Sequence, residues 1–471
     1  MFSFTMTTLG CKVNQYDGAA VAAELSAAGL RRAAPGERAH AVVVNTCCVT
    51  TTAMRKSRQA LRRHLRDHPD ASVLVTGCYA DYDPDRLARL VRRMGPRRRT
   101  VVVAGHHEDV AAAVRALVVD MTGRPAPAGV RAPRGGPGDL RRRSAAARRA
   151  PDRVPCAPRG IGGFDARRRA FVKVQDGCDA FCSYCVVPYT RCRVRSRAPE
   201  KVDQECRRLV RAGHKEIVLC GVFLGAYGRE TTVRRRWEAG TPPLVSLVRR
   251  IARIEGLWRL RLSSIAPGDV TDELLDALVG CPTAAPHLHL PLQSGSADVL
   301  RAMNRQYTPD DYRRAVRAVC DALDTPAITT DVIVGFPGAS DEDFAATLAM
   351  AREAGFARIH AFPFSAIQPT AAWARRREAP SPDEINRRME RITTLGRELA
   401  SAYRRRLVGR TLDGLVEGPN RAGVVRAMTD RYQPVAFDGE VAPGSVAAFE
   451  IVEPRGEGLY GRVVAPKPSR V

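Results

Sequence analysis

The stretch Gly177-Cys178-Asp179-Ala180-Phe181-Cys182-Ser183-Tyr184-Cys185 decides how this chain is read. Its spacing is C-x3-C-x2-C. Three thiolates on one short loop suit three corners of a cubane [4Fe–4S] cluster, for which Cys is the standard ligand. The fourth iron then has no protein ligand. An open metal position is where a cofactor or substrate coordinates, by the logic that separates catalytic from structural zinc. Zinc itself would want two C-x2-C halves far apart, and no second C-x2-C occurs here.

Working outward, residues 169–375 read as a β-α series. The strand Phe171–Val174 leads directly into the three-cysteine loop. Further strands are expected at Glu216–Leu219, Arg259–Leu262, His287–Leu290, Ile328–Val334 and Arg358–Phe362, with helices between them. Six such strands predict a partial (β/α)6 barrel, whose functional face is the carboxyl end of the strands. Cys178, Gly221, Ser263, Gln293 and Gly335 fall on that face. Ser381-Pro382-Asp383-Glu384 predicts a capping box with Pro at the first helical position, opening a helix to about Arg405.

Residues 1–118 form another β-α series. Strands are expected at Ser3–Leu9, Ala41–Asn45, Ser72–Thr76 and Thr100–Ala104. Helices fit Gly18–Ala28, Thr52–His64, Asp83–Met94 and His107–Leu117. The repetition predicts a doubly wound parallel sheet. Cys11, Cys47 and Cys78 follow its first three strands. In such sheets the ligand crevice lies outside the carboxyl ends, so these thiols are expected to converge. The alternative is three unrelated buried thiols.

Residues 119–168 are dominated by Gly, Pro, Ala and Arg, a composition that predicts an unfolded linker. Cys156 lies in it and reads as a bystander. Residues 122–170 alone hold thirteen Arg against three Asp. From 406 to 467 the chain reads as five short strands, Gly409–Val416, Val424–Met428, Gln433–Phe437, Ser445–Val452 and Leu459–Val464. They suit a small β-barrel.

The 471 residues carry a formal charge of +25, which points to a polyanionic partner, RNA or DNA by default. Residues 404–471 contribute little to it, with eleven basic and eight acidic residues. No apolar run of about 18 residues exists, so no membrane helix is expected. Met1 to Lys12 lacks the pattern of a signal peptide. Thirteen cysteines without a secretory signal read as thiols and metal ligands rather than disulfides, and a cytoplasmic location is expected.

The aromatic before the third cysteine makes the opening stretch resemble the signature of radical S-adenosylmethionine enzymes. Nearly the whole chain, except the Arg-rich linker, resembles the methylthiotransferases of that superfamily. The motifs are Thr8-Leu9-Gly10-Cys11-Lys12-Val13-Asn14-Gln15-Tyr16, Asn45-Thr46-Cys47-Cys48-Val49-Thr50 and Thr76-Gly77-Cys78-Tyr79-Ala80. His289-Leu290-Pro291-Leu292-Gln293-Ser294-Gly295-Ser296 and Val334-Gly335-Phe336-Pro337-Gly338 are similar to barrel segments of the family. The resemblance implies a methylthiotransferase domain over 1–118, a radical core over 169–400 and an RNA-contacting TRAM barrel over 404–468.

It also implies two [4Fe–4S] clusters. Cys178, Cys182 and Cys185 would hold the one that chelates S-adenosylmethionine and yields a 5′-deoxyadenosyl radical. Cys11, Cys47 and Cys78 would hold an auxiliary cluster that holds or supplies sulfur, with Cys48 at a variable position. Gly221, Ser263 and Gln293 are candidate contacts to S-adenosylmethionine, and Arg195 and Arg197 to RNA phosphate or the cofactor. Further partners would be a reductant such as flavodoxin or ferredoxin and a sulfur donor.

Branches of the family differ in substrate. The Leu-Gly-Cys-Lys-Val-Asn-Gln start resembles the branch that modifies C2 of threonylcarbamoyl-adenosine beside the anticodon of tRNA. Isopentenyl-adenosine in tRNA and a ribosomal-protein aspartate are the alternatives, and a non-catalytic iron–sulfur RNA-binding protein is the rival of another class. Three departures stand out. Arg191-Cys192 replaces Arg-Gly, and Cys192 reads as a non-ligand because a fourth thiolate would block chelation. Ala339-Ser340 replaces Glu-Thr. Phe364–Thr370 lacks the Arg and Gly often seen there.

Overall fold

The computed structural model describes residues 1–94, 101–105, 110–122, 137–149, 161, 163, 169–417 and 425–466. Cys156 lies outside the described residues. The chain folds as two compact units. The first comprises residues 1–162 with two later segments, Asp176–Val194 and Ser365–Ala374. The second comprises Gly163–Gln175, Arg195–Phe364 and Arg375–Val471.

In the first unit the strands are β1 (Ser3–Thr8), β2 (Arg31–Arg32), β3 (Ala41–Thr46), β4 (Ser72–Gly77) and β5 (Val101–Ala104). They pair in the order β2-β1-β3-β4-β5, with every pairing parallel. β3 and β4 are buried along their whole length, as their continuous apolar runs require of strands covered on both faces. One face packs Val21, Leu25 and Leu117 against Phe4, Val43 and Leu74. The other packs Leu61, Leu65, Leu87 and Val91 against Val42, Val44, Val73 and Val75. The doubly wound sheet is as the sequence predicts.

The linker reading needs correcting where residues are described. Leu140–Arg149 is a helix, and Val110–Thr122 carries its own helix past residue 118. Leu140 and Ser144, one turn apart, are buried. Leu140 joins the core containing Leu61, Val186 and Ile367. One buried leucine contributes about 1.5–3 kcal/mol, and averaged composition hides it.

The second unit contains β6 (Arg169–Asp176, its last residue in the first unit), β7 (Arg195–Ser196), β8 (Glu216–Gly221), β9 (Arg259–Leu262), β10 (His287–His289), β11 (Ala327–Val334) and β12 (Arg358–Pro363). β6-β8-β9 and β10-β11-β12 are parallel ladders. Parallel bridges Leu260↔Ala284 and Ser264↔His289 carry the sheet from one ladder to the other. Six strands thus make the expected partial barrel, with β12 as an exposed edge. β7 is a short addition beside β6.

The helix Pro382–Arg405 starts as predicted, and Ser381 Oγ accepts from the Glu384 N–H. Only half of the capping box forms. The Glu384 carboxylate turns to Arg387 and Arg388 instead.

After this helix β13 (Thr411–Val416), β14 (Ala427–Thr429), β15 (Pro434–Ala436), β16 (Val446–Arg455) and β17 (Gly458–Pro466) close into a barrel in the order β13-β14-β15-β17-β16. It docks on the amino ends of the β8 and β9 strands through a polar cluster. Glu216 is 1 % exposed and takes Arg261 Nε at 3.0 Å and Arg259 Nη1 at 3.2 Å. Both guanidiniums then donate to barrel carbonyls, Arg259 to Asp413 and Met428, Arg261 to Asp430 and Thr429. The Tyr432 ring lies 4.2 Å from the Arg261 guanidinium and 4.9 Å from the His287 ring. No described helix is long and apolar enough to cross a membrane.

Candidate active site

β6 ends at Asp176, and the chain turns through Gly177 at φ +78°. A Cβ there would stand 1.6 Å from the Arg193 carbonyl oxygen. Only glycine fits. Asp176 Oδ1 accepts the Gly177 N–H at 2.9 Å, and the Cys178 N–H donates to the Arg191 carbonyl at 3.1 Å. The Cys185 N–H donates to the Cys182 carbonyl at 2.9 Å. Phe181 packs edge-on against Tyr189 with ring centroids 5.4 Å apart. Cys178 is buried, while Cys182 and Cys185 are half-buried.

The chain just beyond Phe364–Thr370, the segment that departs from the family pattern, supports this loop. The Ala372 N–H donates to the Ser183 carbonyl at 2.7 Å. Ser365 Oγ accepts from the Thr51 N–H at 2.9 Å. Gly177→Ala is expected to lower the iron bound after anaerobic reconstitution by about four per chain. Unchanged iron would contradict the steric argument.

Cys11, Cys47 and Cys78 do converge. Thr8 pairs with Asn45, and Asn45 with Thr76, so the three strands end level. Cys11 caps the helix Lys12–Ala27, and Cys78 begins the helix Cys78–Tyr82. Helix amino ends favour thiolates. A Cβ on Gly10 would meet Cys47 Sγ at 2.9 Å. Asn14 donates to the Thr46 carbonyl at 3.2 Å, and Asn45 to the Asn14 carbonyl at 2.7 Å. Ser57 Oγ accepts the Cys47 N–H and donates to the Cys47 carbonyl, both at 3.1 Å.

Electrostatics show the same closeness. Burial, then Cys78, then Cys11 push the Cys47 thiol up to about 12. Cys11 is exposed as a residue, yet burial is the largest influence raising its thiol, with Arg191 opposing and Cys78 adding. Three thiols whose anionic forms would repel one another fit a cationic centre that takes them as thiolates. Among the described residues, no three His, Cys, Asp or Glu side chains converge tightly enough for one metal ion. A cubane spreads its ligands over three irons, so its thiolates stand wider apart than four around one zinc. The donor set fits a cluster.

At the barrel strand ends, Ser263 is buried, and its Oγ has no hydrogen-bond partner among the described residues. An orphaned hydroxyl at a strand end fits a polar ligand group. Gln293 is a non-glycine residue at φ +62°, an uncommon backbone conformation that concentrates at ligand sites. Gly221 closes β8, with room for a Cβ limited by Gln175 and Leu224 at 3.0–3.1 Å. Gln175 Oε1 accepts the Phe223 N–H there. Arg197 is different. It pairs with the buried Glu205 at 2.5 Å and donates to the Lys173 carbonyl, so it serves the fold rather than an RNA or cofactor contact.

Sequence reading missed the partners of Arg191, namely Asn14, Asp17 and Asp176. Asn14 stands in the Thr8–Tyr16 motif, while the only signal of Asp17 and Asp176 is that each lies within six residues of a cysteine of the two triplets. It also missed a cavity of about 390 Å³ lined by Arg358, His360, Arg397, Arg404, Tyr432 and Glu457.

A partial parallel barrel with a three-cysteine loop at a strand end defines a radical S-adenosylmethionine enzyme. The Radical SAM superfamily profile matches residues 172–351, and the profile described as Uncharacterized protein family UPF0004 matches residues 3–94. The chain is 33% identical to a Bacillus subtilis protein named threonylcarbamoyladenosine tRNA methylthiotransferase MtaB, covering 98% of this chain and 97% of that one. A Thermotoga maritima protein of the same name is 31% identical, covering 99% and 100%. A Jannaschia protein named tRNA-2-methylthio-N(6)-dimethylallyladenosine synthase is 33% identical, covering 97% and 93%.

Among solved structures, the radical S-adenosylmethionine methyltransferase TsrM of Kitasatospora setae superposes with TM-score 0.52 at 15% identity, covering 79% of this chain and 76% of that one. This likeness is one of fold. The chain belongs to the methylthiotransferase family of the radical S-adenosylmethionine superfamily. It is a transferase, and its cofactors are [4Fe–4S] clusters, two in this family, and S-adenosylmethionine.

Proposed function

We propose that this enzyme methylthiolates C2 of N6-threonylcarbamoyladenosine next to the anticodon of tRNA. The observation that carries methylthio transfer is the gathering of Cys11, Cys47 and Cys78 in the same compact unit as the Cys178–Cys185 loop. The substrate branch rests on the Leu9–Gln15 motif and on the names of the Bacillus and Thermotoga relatives. The Jannaschia relative is as similar in identity, so the substrate is decided by assay.

Cys178, Cys182 and Cys185 would hold the radical cluster and Cys11, Cys47 and Cys78 the auxiliary one. Together they supply one-electron cleavage of S-adenosylmethionine and the sulfur. Within this reading residues 1–118, 169–400 and 404–468 are the sulfur, radical and RNA-gripping parts. Gly221, Ser263 and Gln293, at the barrel strand ends, are the candidate contacts to the cofactor. A second S-adenosylmethionine as methyl donor, a low-potential reductant and a sulfur donor complete the reaction, in a cytoplasmic setting. Expression in a bacterium lacking its own methylthiotransferases tests the substrate by mass spectrometry of tRNA nucleosides. Appearance of 2-methylthio-N6-threonylcarbamoyladenosine is expected. Its absence, with the isopentenyl product formed or with neither, overturns the assignment.

An unpaired anticodon loop can splay its bases for reading, while phosphate contacts supply affinity. The cavity arginines suit that role, since Arg404 Nε is buried without a partner among the described residues. Reversing Arg358, Arg397 and Arg404 to Glu is expected to weaken tRNA binding and flatten its log–log salt slope by about two to three. An unchanged slope would place the phosphate elsewhere.

A further inference from the structure

Arg191 is buried, with its side chain 3 % exposed. Its Nη1 meets Asp176 Oδ1 at 2.8 Å, and its Nη2 meets Asp17 Oδ2 at 2.5 Å and Asn14 Oδ1 at 3.4 Å. Its Nε points at Cys78 Sγ, 3.4 Å away. Its carbonyl accepts the Cys178 N–H at 3.1 Å. One residue therefore touches the helix that follows Cys11, the Cys78 sulfur and the loop that begins with Cys178.

Burying a guanidinium is costly unless it is paired and fully hydrogen-bonded. Two carboxylates more than neutralise this one, and a hydrophobic residue would pack here without that cost. The use that remains is the third donor. A charge-assisted hydrogen bond to a cluster sulfur stabilises the more negative, reduced form, because hydrogen bonds to sulfur and local charge set iron–sulfur potentials.

We propose that Arg191 is a positioning residue that ties the two cysteine-bearing loops together and holds a hydrogen bond on the Cys78 sulfur, raising the reduction potential of the auxiliary cluster. This rests on the reading that Cys78 is a cluster ligand. The electron comes from an added low-potential reductant and stays on the cluster, so no bond is made or broken.

The test uses full-length protein with Cys178, Cys182 and Cys185 changed to Ala, reconstituted anaerobically so that the auxiliary cluster stands alone. Its midpoint potential is read by electron paramagnetic resonance during a dithionite titration. Arg191→Met is expected to retain about four irons and to disfavour reduction at least tenfold, a drop of about 59 mV or more for one electron. Arg191→Lys should recover part of the shift, because it restores charge without the fork. An unmoved potential with iron retained overturns the proposal.

If the Met variant does not hold its cluster, Asp17→Asn decides. Removing that negative charge should raise the potential, and an unchanged value overturns the proposal. A parent protein holding no iron refutes Cys78 as a ligand and the proposal with it. That outcome is distinct from a loaded cluster whose potential ignores Arg191.

Discussion

Changing Cys178, Cys182 and Cys185 together to Ala is expected to reduce cleavage of S-adenosylmethionine to background, a loss of at least a thousandfold or about 4 kcal/mol in the barrier. The effect is this large because the cofactor supplies the chemistry and the protein can only hold and orient it. Chelation needs an iron without a thiolate, and that iron exists only while three thiolates hold the other three. The same variant should retain roughly four irons per chain and still bind tRNA, since neither property passes through the loop. Cleavage surviving near the normal rate would mean that the radical arises elsewhere. Loss of all iron would mean that the variant had disrupted the first unit.

Glu216→Ala is expected to destabilise the second unit by about 3–5 kcal/mol, because it strands two buried guanidiniums. That corresponds to a melting shift on the order of 10 °C. Burial pushes the Glu216 carboxyl up, and Arg261, Arg259 and Arg169 overcome burial and hold it below its usual range. A carboxyl depressed in the folded state stabilises above its unfolded pKa. That stability is lost as pH falls through the lower, folded value. The melting difference between the normal protein and Glu216→Gln should therefore be largest near neutrality and shrink as acid passes below about pH 4. A difference that grows in acid would contradict the sign. Removing residues 406–471 would also uncover Arg259 and Arg261, so charge reversal at Arg358, Arg397 and Arg404 is the cleaner probe of RNA binding.

Much of this was legible because apolar runs are strong signals. Val42–Val44, Val73–Val75 and Ile217–Leu219 announce strands covered on both faces. β2 and β7 were not legible, since two exposed or half-exposed residues each leave no periodicity. The helix expected from Gly18 begins at Lys12, because Val13 and Tyr16 are its buried anchors while polar Asn14 and Gln15 between them blur the pattern. The half-formed capping box at Ser381 reflects a choice the sequence leaves open, as Glu384 finds arginines one turn on.

The cysteines of the site could be placed from their positions after strands, because a parallel sheet brings those ends level. Arg191 could not. In a chain with 75 Lys and Arg only its place before Cys192, where the family pattern has Arg-Gly, separates it from Arg193 or Arg197. Its meaning comes from Asp17 and Asp176, which only the fold brings to it. Arg197 shows the converse: it reads as a phosphate contact and is consumed by Glu205.

Metal analysis of the unaltered protein after anaerobic reconstitution bears most directly on the twin-cluster account. Roughly eight irons and eight inorganic sulfides per chain are expected, with Cys11, Cys47 and Cys78 changed to Ala halving both. About four irons in the unaltered chain, unmoved by that triple change, would contradict it.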